Sequence, residues 1–113
     1  MGVSFAGGSD IGWQIPTLLN GWVPYGFGYV GPRFRKLSNG QVELQGLARG
    51  TTINTTLFVL PVGYRPSDRL LIPALCDPNN AARIDILNNG EVSMQGGAGI
   101  EYLTIAHTFY PDQ

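Results

Sequence analysis

Charge is what this chain has least of. Only 13% of its 113 residues are Asp, Glu, Lys or Arg, about half the usual share. Seven basic residues stand against eight acidic ones for a net charge of -1, and the basic ones are scattered over Arg33, Arg35, Lys36, Arg49, Arg65, Arg69 and Arg83. A phosphate backbone needs a concentrated basic face, so nucleic acid is not an expected partner. Cys76 is the only cysteine, which excludes an intrachain disulfide. A reactive thiol would need an activating neighbour, and a small buried apolar side chain is the expectation instead. His107 is the only histidine, so a histidine-based metal site is excluded and a nucleophile–histidine pair would rest on this one residue. No apolar run approaches the length of about eighteen residues that a membrane span needs, and the start lacks the basic stretch and continuous apolar core of a secretory signal. Membrane insertion is not expected. No interval between successive glycines or prolines exceeds eleven residues, so a long helix has nowhere to sit.

What is present is a stretch that occurs twice. Arg33-Phe34-Arg35-Lys36-Leu37-Ser38-Asn39-Gly40-Gln41-Val42-Glu43-Leu44-Gln45-Gly46 returns as Arg83-Ile84-Asp85-Ile86-Leu87-Asn88-Asn89-Gly90-Glu91-Val92-Ser93-Met94-Gln95-Gly96. Asn-Gly between alternating apolar runs predicts a β-hairpin in each. A two-residue loop would set Asp85 opposite Met94 and mix charged with apolar side chains on one face. A three-residue loop with Gly90 in the left-handed region pairs Ile86 with Val92 and Ile84 with Met94, giving one apolar face. The same register in the first copy places Phe34 against Leu44, Lys36 beside Val42 and Arg35 opposite Glu43.

Around these hairpins the chain reads as short strands and breaks. Residues 1–12 have the glycine-rich composition of a flexible lead-in, and residues 13–113 form one domain. From Trp13 to Pro32 there is no charge, many aromatics and several breakers, which predicts irregular chain or short strands along a core or subunit boundary. A strand is expected over 51–60 with Ile53, Leu57 and Val59 on one face. Leu60-Pro61-Val62-Gly63-Tyr64-Arg65-Pro66 is a corner, Leu70–Leu75 a further strand, and Cys76-Asp77-Pro78-Asn79-Asn80 an exposed turn. A last strand is expected from Ile100 to Tyr110, with Leu103, Ile105, His107 and Phe109 on one face and Tyr102, Thr104, Ala106, Thr108 and Tyr110 on the other. Both faces look largely apolar, so it should be covered on both sides. Short strands with frequent turn signals mean a sandwich or a barrel.

Chemistry-bearing patterns are few. Gly26-Phe27-Gly28-Tyr29-Val30-Gly31 has the letters of a dinucleotide fingerprint, but Pro32 and a hairpin follow where that motif needs a helix. Asn54-Thr55-Thr56 has the form of a glycosylation acceptor but falls inside an expected strand. Asp77, Asn79 and Asn80 are spaced like part of a calcium loop whose glycine and closing glutamate are missing, so no metal is expected. The carboxylates are dispersed over turns and strands, which supports no catalytic set. Trp22, Tyr25, Phe27 and Tyr29 are more suggestive: exposed rings in such a segment stack on the apolar faces of sugars, while buried ones fill a core or an interface. The low surface charge points to a surface partly covered by partners.

The order of these pieces resembles a known family. Leu19-Asn20-Gly21-Trp22, Val42-Glu43-Leu44-Gln45-Gly46, the Leu60-Pro61-Val62-Gly63-Tyr64-Arg65-Pro66 corner, Ile84-Asp85-Ile86 with Asn89-Gly90 and Val92, and Tyr102-Leu103-Thr104-Ile105 followed by Phe109 look like the C-terminal head domain of tail-fibre and receptor-binding proteins of tailed bacteriophages. The resemblance implies an all-β, antiparallel β-sandwich of jelly-roll type, assembled as a homotrimer at the tip of a virion tail fibre and joined to the rest of the fibre on its N-terminal side. It implies a non-enzymatic, cofactor-free receptor-binding head that recognises host cell-surface polysaccharide or a surface protein. Pro61, Gly63, Tyr64 and Pro66 would be architectural, and receptor contacts would lie on loops. On that footing Tyr25 and Tyr29 are candidate stacking platforms, Asp77, Asn79 and Asn80 candidate hydrogen-bonding groups, and Trp22 and His107 candidate interface residues. A purely structural trimerisation or capping module, or a small glycan-active enzyme, are the alternatives.

Overall fold

A computed structural model describes residues 11–97 and 99–111. Most of the lead-in expected over 1–12 lies outside the described residues. Among those described there is no helix, and ten strands run β1 (Val23–Pro24), β2 (Arg33–Lys36), β3 (Val42–Gln45), β4 (Leu47–Arg49), β5 (Thr56–Val59), β6 (Leu70–Cys76), β7 (Asn80–Ile86), β8 (Glu91–Gly96), β9 (Leu103–Thr104) and β10 (His107–Phe109). A seven-stranded sheet has the order β1-β4-β9-β6-β7-β8-β5 and a three-stranded one the order β10-β3-β2. Every pairing is antiparallel. The inward side chains of both sheets, among them Phe34, Val42 and Leu44 from the small one and Phe58, Ile84, Ile86, Val92 and Met94 from the large one, form a single core.

Both hairpins have the expected register. Phe34 faces Leu44, Arg35 faces Glu43 and Lys36 faces Val42, while Ile84 faces Met94 and Ile86 faces Val92. The loops close by Gly40 and Gly90 N–H donating to the Leu37 and Leu87 carbonyls, each at 2.9 Å, with the two glycines at φ +91° and +95°. That left-handed position is where glycine is free of the steric penalty other residues meet.

The corner clasps the two hairpins together. Gly63 at φ +94° turns the chain, and its carbonyl accepts a hydrogen bond of 2.6 Å from Lys36 Nζ. The same ammonium lies 4.6 Å from the centre of the Tyr64 ring, a cation–π contact. Arg65 Nε donates to the Leu60 carbonyl at 2.8 Å, and Leu60 N–H donates to the Gly90 carbonyl at 2.8 Å. On the outer edge of the small sheet, Gln14 bridges Phe34, and the Trp13 ring lies 4.1 and 4.2 Å from the Arg33 and Arg35 guanidinium carbons.

Two strand expectations need correction. The run over 51–60 is a strand only from Thr56 to Val59, and Ile53 and Val59 are exposed. A bulge between Thr56 and Phe58 breaks the alternation, so Leu57 and Phe58, adjacent in sequence, are both buried. The stretch from Ile100 to Tyr110 is not one strand. It is β9 in the large sheet and β10 in the small one, with the chain crossing at residues 105 and 106. Leu103, Ile105 and Phe109 are buried and His107 is partly so, but Ala106, Thr108 and Tyr110 are exposed, so only one face is covered.

Candidate functional site

The crossing between the sheets makes the site. The chain leaves the small sheet after Gln45 and enters the large one at Leu47, turning on Gly46 at φ +129°. It passes back after Thr104, and the two passages are joined by Ile105 N–H donating to the Gly46 carbonyl at 2.9 Å. A side chain at 46 would drive its Cβ into the Gly31 carbonyl, so only glycine fits. Beside this crossing lies a pocket of about 600 Å³.

A loop walls the open side. Tyr25 N–H donates to the Leu47 carbonyl at 3.0 Å and Leu47 N–H to the Val30 carbonyl at 2.8 Å, so residues 25–30 are pinned at both ends over β4. Tyr25 packs at the centre of an aromatic group, its ring centroid 5.5 Å from Tyr29, 6.2 Å from Tyr102 and 5.3 Å from Phe27. Edge-on and tilted arrangements of this kind suit the quadrupoles of the rings. Tyr102 is tied down in turn: its hydroxyl accepts from Asn79 N–H and donates to Asn79 Oδ1, both at 2.9 Å. Asn79 itself sits at φ +67°, a conformation asparagine tolerates better than most residues.

The lining comprises Tyr25, Tyr29, Val30, Gln45, Gly46, Leu47, Leu75, Asn79, Tyr102, Thr104 and Ala106, without a charged side chain. Gln45 Oε1 accepts from Arg33 Nε at 2.9 Å and from Nη2. Since guanidinium has only donors, this fixes the orientation of the amide and turns its NH2 group away from Arg33. Aromatic faces with a few amide and hydroxyl groups can stack on and hydrogen-bond an uncharged polar ligand. Among the described residues, no group of three or more His, Cys, Asp or Glu side chains is placed to hold a metal ion.

Of the sequence-derived candidates, Tyr25, Tyr29 and Asn79 meet at this pocket. Asp77 supports it from behind, with Oδ1 accepting the Tyr102 N–H at 3.1 Å. Asn80 is exposed at the start of β7 and pairs with Cys76, outside the lining. Trp22 is in the core of its own chain, with Nε1 donating to Thr55 Oγ1 at 2.8 Å, and offers no surface to a partner. His107 is half-buried on β10 at the edge of the small sheet, its ring stacked 6.4 Å from Phe109, and burial pushes its pKa down. Cys76 is buried, as expected. Gln45 and Tyr102 join the site without a mark in the sequence. Alternation does place Tyr102, Thr104 and Ala106 on one face, but nothing local says that this face meets Gln45 and Tyr25.

No protein-family model matches the chain, and no curated protein matches it in sequence. Among solved structures it is similar to the receptor binding protein (gp15) of Listeria phage PSA, with a TM-score of 0.70 at 20% sequence identity. The match covers 88% of this chain and 65% of that one. At this level of identity the likeness is one of fold: the chain shares the all-β fold of a phage receptor binding protein over nearly its whole length.

Proposed function

We propose that this chain is the receptor-binding head of a phage tail fibre, non-enzymatic, which recognises polysaccharide on the host cell surface through the pocket at the sheet crossing. The observation that carries the reading is an uncharged, aromatic-lined pocket on a fold shared with a phage receptor binding protein. Rings backed by amide donors suit sugar units, which present apolar ring faces and oxygen-rich edges. In this reading the two sheets form a jelly-roll sandwich, and the head is a homotrimer at the fibre tip, its N-terminal side continuing into the rest of the fibre. The outer face of β6 supports the oligomer: Leu71 is 61% exposed and Pro73 beside it is also exposed, uncharged apolar surface of the sort that partners cover. The same surface is what a purely structural trimerisation or capping module would need.

Two measurements test this. Light scattering should give three times the chain mass, and fluorescently labelled protein should adhere to some strains in a panel of bacteria, with adherence lost when surface polysaccharide is stripped. A monomer that labels no strain overturns the reading. A trimer that labels no strain favours the structural module.

A further inference from the structure

The loop beside the pocket holds a side chain that its own packing does not require. Gly26, Phe27 and Gly28 take φ values of +81°, +54° and +84°, three left-handed residues in succession. Nothing lies within 4 Å of a Cβ placed on either glycine, so these glycines serve the backbone conformation and not a lack of space. Phe27 has no such freedom. The other described non-glycine residues at positive φ are Asn20, Asn54 and Asn79, the residue type that enters this region with local hydrogen-bonding help; a phenylalanine there is an outlier. The residue is 78% exposed, and its ring lies 5.3 Å from the Tyr25 ring at a 58° tilt. Glycine or asparagine at 27 would make the same turn without the strain and without a phenyl ring in water. Strain of this kind persists where binding or catalysis uses the group it positions.

Phe27 is not in the pocket lining, while Tyr25, on which it leans, is. A ligand that uses both must therefore run out of the pocket and across the loop. Its chemistry is constrained by the polar groups. Gln45 Oε1 is taken by Arg33 and Asn79 Oδ1 by the Tyr102 hydroxyl, so both amides present NH2 donors. The lining offers no cation to a carboxylate or phosphate. Amide donors in the lining of an uncharged aromatic site suit the hydroxyl, acetal and amide oxygens of a neutral sugar.

We infer that Phe27 is an outer stacking platform of the receptor site, and that the ligand is an uncharged oligosaccharide with one unit in the pocket and the next on the Phe27 ring. This rests on the receptor-binding reading and adds to it the charge class and the minimum length of the ligand.

The test uses the isotope-labelled chain, its Phe27→Gly variant and a set of defined probes: glucose, N-acetylglucosamine, the trisaccharide of each, and glucuronic acid. A neutral trisaccharide should shift the ring signals of Tyr25, Tyr29 and Tyr102, and glucuronic acid should not. Phe27→Gly should melt at the same or a higher temperature, because it relieves backbone strain. It should weaken the trisaccharide by up to about tenfold and leave the single sugar unchanged. A lower melting temperature would show that the ring is there for packing and overturns the proposal. So does equal binding of the trisaccharide by both proteins, or equal binding of glucuronic acid. If no sugar shifts the rings but labelled protein still adheres to bacteria, this proposal fails while the receptor-binding role survives with a different ligand. If neither sugars nor bacteria are bound, both fail.

Discussion

In β2–β3 and in β7–β8 the chain makes the same turn twice. Gln41 N–H donates to Asn39 Oδ1 and Glu91 N–H to Asn89 Oδ1, both at 3.0 Å, and each asparagine amide donates on to the side chain two residues later. The surroundings differ. A Cβ on Gly40 would meet nothing within 4 Å, whereas one on Gly90 would collide with the Leu60 carbonyl oxygen and stand 2.7 Å from Arg65 Nε. The first hairpin forms two of the three strands of the small sheet, and the second sits inside the large one. At equivalent positions Arg35 reaches across to Glu43, an ion pair with side chains 28% and 27% exposed, while Asp85 is fully buried under Arg69 and Arg83. A local code of Asn-Gly and alternation thus specifies the turn and the register, and the tertiary setting decides what each copy tolerates.

The largest contrast should come from the turn glycines. Gly90→Ala adds a collision with backbone to the left-handed penalty and should cost about 3 kcal/mol or more, against about 1 kcal/mol for Gly40→Ala, which meets the penalty alone. Urea unfolding of the two variants checks this, and equal midpoints would mean that the Leu60 corner yields freely. Next are the carboxylates. Asp85→Ala removes an acceptor of charge-assisted hydrogen bonds from a buried position and should cost about 2 kcal/mol. Glu43→Ala breaks a half-exposed pair and should cost about 0.5 kcal/mol or less. The same unfolding curves measure both.

Acid should separate the hairpins further. Hydrogen bonds from Arg83, then from Arg69, hold Asp85 below its usual pKa of 3.8, and bonds from Thr56 and Asn89 hold Glu91 below 4.5. A carboxylate whose folded pKa is depressed contributes stability above its unfolded pKa and loses it as pH falls through the folded value. Amide exchange protection in β7–β8 should therefore drop below about pH 4. Gln41, at the position of Glu91 in the first hairpin, does not titrate. The smallest effect concerns His107, which pairs with Leu44 of the first hairpin. Burial lowers its pKa from 6.5, so the unfolded chain takes up the proton more readily and stability declines as pH falls below the unfolded value. A mild loosening of the small sheet between about pH 7 and pH 5, abolished by His107→Gln, is the expected result.

The hairpins were legible in the sequence because their information is local: a turn residue at one position and a face that must stay apolar. The corner was legible for the same reason. The bulge near Thr56 and the break after Thr104 were not: at the first the strand pattern runs on through a shift of register against β8, and at the second through a change of partner strand. Ile100 to Tyr110 keeps its alternation while Leu103 joins one sheet and Phe109 the other. The candidate pocket was legible only in fragments. Tyr25 and Tyr29 stand out in a charge-free aromatic stretch and Asn79 in a polar turn, but Gln45 looks like any strand-end residue until β3 is placed against β10 and β4 against β9.

The hydrogen bond from Ile105 to the Gly46 carbonyl also bears on order of assembly. It joins residues far apart in the chain, and the wall of the pocket formed by Thr104 and Ala106 is contributed by a segment more than seventy residues on from Tyr25 and Tyr29. The pocket cannot be completed until β9 has paired with β4 and β10 with β3. Loss of the segment from residue 103 onward would leave both hairpins with their own turns and pairings but remove Thr104 and Ala106 from the lining, so the pocket reports on the fully paired fold and the hairpins do not.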